Sequence, residues 1–123
     1  MNSQNGWACG WFGRILHTTD GGANWTTLRH DGYHQFVDIH FTTDTEGWAV
    51  TSNYSDTAWY STNGGVDWQP SLLPYKIYWN KISFTNPDTG WIAGGSSGFG
   101  IILRTNNGGQ SWTIDHQAPE SFF

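Results

Sequence analysis

Basic residues are scarce: Arg14, Arg29, Lys76, Lys81 and Arg104 are all that the 123-residue chain sets against ten acidic ones. The net charge near −5 argues against a phosphate-tracking surface, so nucleic acid is not expected among the partners. Cysteine is reduced to Cys9, which rules out an intrachain disulfide and leaves the redox compartment open. No run approaches the roughly twenty apolar residues of a membrane span. The opening segment Met1 to Trp7 has neither the basic nor the apolar stretch of a secretory leader. The chain as given therefore reads as soluble, with no signal peptide or transmembrane segment in it and no compartment assigned. Helical periodicity is missing too, because no stretch sets apolar residues at i, i+3, i+4 and i+7.

Aromatics and glycine are abundant instead: nine Trp, seven Phe, five Tyr and sixteen Gly. Three segments carrying them superimpose: Thr18-Thr19-Asp20-Gly21-Gly22-Ala23-Asn24-Trp25, Ser61-Thr62-Asn63-Gly64-Gly65-Val66-Asp67-Trp68 and Thr105-Asn106-Asn107-Gly108-Gly109-Gln110-Ser111-Trp112. A fixed period of about 43 residues marks a repeat architecture. A second landmark keeps step, as Gly6-Trp7-Ala8, Gly47-Trp48-Ala49 and Gly90-Trp91-Ile92. A third occurs twice, as Val37 to Phe41 and Asn80 to Phe84. Short strands between turn signals predict an all-β, four-stranded antiparallel meander per repeat. Strand A falls near Phe36 to Phe41 and Trp79 to Phe84. Strand B begins at each Gly-Trp, strand C runs through Ile15-Leu16, Ala58 to Tyr60 and Ile102-Leu103, and strand D starts near Trp25, Trp68 and Trp112. One domain of three repeats, about 1–34, 35–77 and 78–123, is expected.

Asp20, Asn63 and Asn107 each precede a Gly-Gly pair, Gly22, Gly65 and Gly109 being the second of each. Short polar side chains accept from backbone N–H groups two residues ahead while glycine permits positive φ, which predicts a tight C-to-D hairpin. Trp25, Trp68 and Trp112 are expected to lock each hairpin to its sheet, the ring buried and the indole N–H partnered. Calcium is not expected at these turns, since two of them carry neutral Asn. The Ser/Thr-x-Asp-x-Gly-x-x-Trp pattern resembles the Asp-box (BNR) repeat of sialidases and related β-propellers. The fuller run, Gly-Trp-Ala and then Ile-Leu-x-Thr-x-Asp-Gly-Gly-x-x-Trp, is more similar to propellers of the photosystem II assembly and stability factor type. The resemblance implies three propeller blades, and it speaks for fold rather than function. Asn63 and Asn107 depart from the pattern, as does Trp59-Tyr60 where the other copies have Leu16-His17 and Leu103-Arg104.

Propellers close with four to eight blades, so three imply a partial ring. The first copy begins at strand B, without its inner strand, and the last ends as a new strand A would start. Two expectations follow: the remainder of a longer propeller, or a homodimer completing a six-bladed ring head to tail with Ser121-Phe122-Phe123 bridging the junction.

Sialidase-like cleavage, the enzymatic alternative, needs three convergent arginines and a Tyr/Glu pair by that resemblance. The strand map sets Arg14 and Arg29 apart from Arg104, and leaves Glu46 in an A-to-B turn and Glu120 in the tail. No facing carboxylate pair is evident, so no catalytic residue and no cofactor are assigned. His30, Asp31, His34, Asp38 and His40 cluster along the chain, but His-x-x-x-His serves a metal on a helix, not on a loop and strand. They are read as solvated loop residues, and no metal is expected. Asn24 and Asn53 match the glycosylation pattern and are read as incidental. The meander instead gathers Trp11, Phe12, Asn53, Tyr54 and Phe99 from B-to-C loops, with Tyr33, His34, Tyr75, Lys76 and Tyr78 from D-to-A connections, on the face away from the boxes. Such a set suits a protein or peptide, with a sugar face as the alternative. The expected function is a non-enzymatic binding or assembly platform. Several of these aromatics could equally pack between blades.

Overall fold

The structure is a computed structural model that describes residues 4–96 and 99–118. Its strands are β1 (Gly6–Gly10), β2 (Arg14–Thr18), β3 (Thr26–Arg29), β4 (Phe36–Phe41), β5 (Gly47–Thr51), β6 (Ser55–Ser61), β7 (Gln69–Phe84), β8 (Gly90–Ser96), β9 (Phe99–Thr105) and β10 (Thr113–Ala118). One 3-10 turn, Trp11–Gly13, joins β1 to β2. Every pairing is antiparallel, in a three-stranded sheet β1-β2-β3 and a seven-stranded sheet β10-β9-β8-β7-β6-β5-β4. The chain is a partial propeller. Strands B, C and D lie where the sequence puts them in all three blades, and strand A in the second and third. The bridging role expected for Ser121 to Phe123, and Glu120, fall outside the described residues.

The D-to-A connection between blades two and three is not a loop. Outer strand D of blade two and inner strand A of blade three are the two halves of β7, a single sixteen-residue strand. Its first half pairs with β6 from Gln69 to Leu72, and its second half with β8 from Tyr78 onward. Burial along β7 alternates at period two from Leu73 through Tyr75 and Ile77 to Trp79, slips by one residue at the register shift, and resumes at Ile82 and Phe84, so the hydrophobic pattern carries the strand straight past Pro74. Tyr75, Lys76 and Tyr78 accordingly sit on a strand.

The core lies between blades. Between the first and second, Ile15, Phe36, Phe41, Ala49 and Trp68 are buried, with Trp7, Cys9 and Leu28 packed against them. Between the second and third, Trp48, Val50, Trp79, Phe84, Ile92 and Trp112 form part of a larger cluster. Trp79 is fully buried and its indole N–H donates to the Ser55 carbonyl at 2.9 Å. Asp38 spans two blades: its carboxylate accepts from the Ile82 N–H at 2.9 Å, next to the register shift between Trp79 and Lys81. It is a strut between inner strands rather than a solvated residue.

The boxes repeat one hydrogen-bond scheme, with a longer reach than expected. Oδ1 of Asp20, Asn63 and Asn107 accepts from the N–H four residues ahead, at Asn24, Asp67 and Ser111 (2.8, 2.9 and 3.0 Å). The shorter span falls to the preceding hydroxyl: Thr18, Ser61 and Thr105 accept from the N–H of the box Asp or Asn and from that of the second glycine. Gly22, Gly65 and Gly109 have φ of 95°, 93° and 86°, a region that L side chains rarely adopt. The first glycine of each box donates to the neighbouring A-to-B side, at Gln4, Thr45 and Asp88. The departures in the motif are compensated in place. Asn24 donates to Asp20 in the first box, Asn63 donates to Asp67 in the second, and Asn107 donates to Ser111 in the third.

The three box tryptophans are not equivalent. Trp68 and Trp112 are 8% and 6% exposed, but Trp25 is 46% exposed. Only Trp68 meets the full expectation, its indole N–H donating to Gly65 O at 2.9 Å. Trp112 is buried with its N–H unpartnered. Trp25 differs because nothing described packs on the outward side of the first blade, whereas Trp68 and Trp112 are closed over by the preceding blade.

Candidate functional site

At the end of the blades away from the boxes, the connections are tied to one another by main-chain bonds. The left-handed Phe12 (φ 64°) is the positive-φ residue other than glycine among those described. Its carbonyl accepts from Gly32 N–H at 2.7 Å, and the Gly13 N–H donates to the His34 carbonyl. A bulky residue in that region is strained unless its surroundings over-determine it; here the two cross-loop bonds do so, and the Phe12 ring stands exposed. The Trp11 side chain is outside those described.

Asp31 organises the next connection. Its carboxylate accepts from the Arg29 guanidinium at 3.0 Å, the His34 ring at 2.7 Å, and the N–H groups of Tyr33 and His34 at 2.9 and 3.0 Å. Partial burial pushes the carboxyl upward, but these donors outweigh it and hold it well below the usual carboxylate range. His34 is therefore not a freely solvated loop histidine. Its ring lies edge-on to Trp59 (5.2 Å) and to Tyr33 (4.8 Å), with the Arg29 guanidinium 6.0 Å from the Trp59 ring. Trp59 and Arg29 were not expected in this cluster. The signal available was the Trp59-Tyr60 departure from the other two copies.

Beside this cluster, Tyr54 and Tyr78 approach at 5.3 Å, both exposed, with the Lys76 ammonium 5.8 Å from the Tyr54 ring. Lys76 makes no ion pair among the described residues. Tyr75 and Phe99 also meet, at 6.1 Å, but both are half-buried against the core between blades two and three. These two serve packing, the reading that competed with recognition. The structure thus brings the exposed Tyr33 against the half-buried His34, and the exposed Tyr54, Tyr78 and Lys76 together, with Phe12 standing out beside the first pair.

The opposite end has a concave feature that sequence reasoning missed. A cleft of ≈ 490 Å³ opens between the second and third boxes, lined by Glu46, Trp48, Tyr60, Pro70, Leu72 and Gln110 among others. Among the described residues no group of three or more His, Cys, Asp or Glu side chains could hold a metal. Arg29 is committed to Asp31, and Arg104 donates to Asn106 at 3.1 Å. Burial, reinforced by Asp38, pushes the Cys9 thiol up to about 11, which leaves it protonated and a poor nucleophile near neutral pH. No helix among the described residues is long and apolar enough to cross a membrane.

Comparison with known proteins follows the repeat. The family described as photosynthesis system II assembly factor YCF48 matches residues 30–119. A solved structure titled "YCF48 bound to D1 peptide" superimposes with a TM-score of 0.73 at 24% sequence identity, covering 92% of this chain and 38% of that one. The chain thus spans well under half the length of that solved protein. No curated protein matches.

Proposed function

The chain belongs to the photosynthesis system II assembly factor YCF48 family, and on that premise we propose that it is a non-enzymatic module that takes a protein or peptide segment on its aromatic loop face. The observation that carries this reading is the exposed Tyr54–Tyr78 pair with the uncommitted Lys76 ammonium at its edge. Rigid aromatic rings supply contact area at small entropic cost, and the ammonium would favour a segment bearing a carboxylate. Tyr33, His34 and Phe12 extend the surface, with Asp31 and Arg29 holding the His34 ring in place. The solved YCF48 protein binds a D1 peptide by its title, which makes a peptide the first ligand to test. Self-association of two such chains, head to tail, belongs to the same reading.

Titrating the chain with that D1 peptide, followed by tryptophan fluorescence, tests recognition. Tyr54→Ala and Tyr78→Ala should each weaken binding by about tenfold or more, as at protein hot spots. Both rings are exposed, so thermal stability should be unchanged. Equal affinity in a Tyr54→Ala/Tyr78→Ala double variant would remove the site, and absence of binding to the unsubstituted chain would remove the peptide reading.

A further inference from the structure

The repeat itself shows what opens the cleft between the second and third boxes. Leu28 and Ser71 each stand three residues after a box tryptophan, Trp25 and Trp68, and each meets the second glycine of the next box. At the first junction Leu28 fills the space: it packs against the core, and a Cβ added to Gly65 would meet it at 3.1 Å. At the second junction Ser71 stands there instead, its hydroxyl donating to the Gly109 carbonyl at 3.0 Å. Exchange of a leucine side chain for a hydroxymethyl group leaves both a void and a polar wall. The ≈ 490 Å³ opening lies at that place, with Ser71 and Gly109 in its lining, and its size is that of a binding cleft. Both junctions lie inside the chain, so the difference is written in the repeat.

The lining carries one charge beside apolar surface. Glu46, from the turn between β4 and β5, is exposed, and its carboxylate makes no ion pair among the described residues. Tyr60 is half-buried with its hydroxyl donating to Gln69 at 3.1 Å, and Pro70 and Leu72, the latter 75% exposed, line the cleft with it. The surrounding end is acidic. Asp20 and Asp67 lie in boxes, and Asp44 and Asp88 in the turns beside them. The Asp88 carboxylate comes within 3.8 Å of where a Cβ on Gly108, a lining residue, would stand. Among the described residues, Arg104 is the basic residue at this end, and its guanidinium is held by Asn106 at 3.1 Å. No group of three acids described here is placed to hold a metal. Carboxylates spread in this way suit positive charges carried on separate side chains, and the cleft between them focuses their field.

We propose that this cleft binds a basic protein segment, seating one lysine or arginine side chain with its aliphatic stem on Leu72, Pro70 and Tyr60 and its charge at Glu46, while Asp88 at the rim meets a second basic residue. Long basic side chains cover apolar surface with their stems and keep their heads at a polar boundary, and complementary charge selects the class of partner. The site lies at the opposite end of the blades from Tyr54 and Tyr78 and selects the opposite charge, so it stands apart from the loop-face reading.

Fluorescence polarisation of a labelled, amidated peptide of alternating arginine and alanine, titrated with the full chain at low salt, tests it. The chain should bind this peptide and not its counterpart of alternating glutamate and alanine. Ser71→Leu should restore the plug found at the first junction and abolish binding, with unchanged circular dichroism, since Leu28 already occupies the matching place in the fold. Glu46→Gln, on an exposed turn, should weaken binding about fivefold, the upper end for a partly exposed ion pair. Absence of binding to the unsubstituted chain overturns the proposal, as does equal binding of the glutamate peptide. Full affinity in Glu46→Gln, or in a folded Ser71→Leu, overturns the cleft as the site; should Ser71→Leu not fold, Glu46→Gln decides alone. Free arginine amide that matches the peptide in affinity overturns a protein segment as the occupant.

Discussion

At Asp20 the box side chain only accepts, whereas Asn63 and Asn107 both accept and donate. Asn24, by side chain and backbone, and the Thr18 hydroxyl donate to it and lower its pKa from 3.8 to about 2. A group whose folded pKa lies below its unfolded value stabilises above the unfolded pKa and loses that contribution as pH falls through the folded one. The first box should therefore loosen between about pH 4 and pH 2, seen as lost protection of the Asn24 amide in hydrogen exchange. Asp20→Asn should abolish that dependence, and the Asp67 and Ser111 amides should not show it, because their acceptors, Asn63 and Asn107, do not titrate. The motif made the turn legible from sequence. It did not reveal that the side chain closes the hairpin over four residues rather than two, since that depends on where the returning strand places its N–H.

Among the elements, strands B and C were legible in every blade because each starts or runs through a fixed landmark, Gly-Trp or the residues before the box. The union of strands D and A in β7 was not. Pro74 and the surrounding aromatics look like a connection in the sequence, but Leu73, Ile77 and Trp79 are each buried on the sheet, and that burial keeps the backbone extended. Burial also separates boxes that read alike. Trp68→Ala should cost about 3–5 kcal/mol, as for other buried aromatics, whereas Trp25→Ala, with its ring 46% exposed, should cost about 1 kcal/mol or less. Chemical denaturation at a concentration low enough to keep the chain monomeric compares the two. Equal losses would mean that the box itself, and not the neighbouring blade, sets the contribution of the ring.

For the whole molecule, the head-to-tail self-association within the proposed function would link stability to concentration. Association with the folded form alone raises the melting temperature by mass action. A tenfold increase in protein should raise it by about 2–5 °C in calorimetry, and a melting temperature independent of concentration would remove the self-association reading. The sequence by itself determined the all-β class, the three repeats, the box hairpins and the family, because these rest on local turn chemistry and a period that residue types record directly. Tertiary structure alone decided which rings are free. Tyr54 and Tyr78 are left exposed while Tyr75 and Phe99 sink against the core, and Trp48 is buried against Phe84 while Trp91 is half-buried beside the Arg104 guanidinium. The reason is physical: identical landmarks acquire different environments from the side chains that the tertiary fold packs against them.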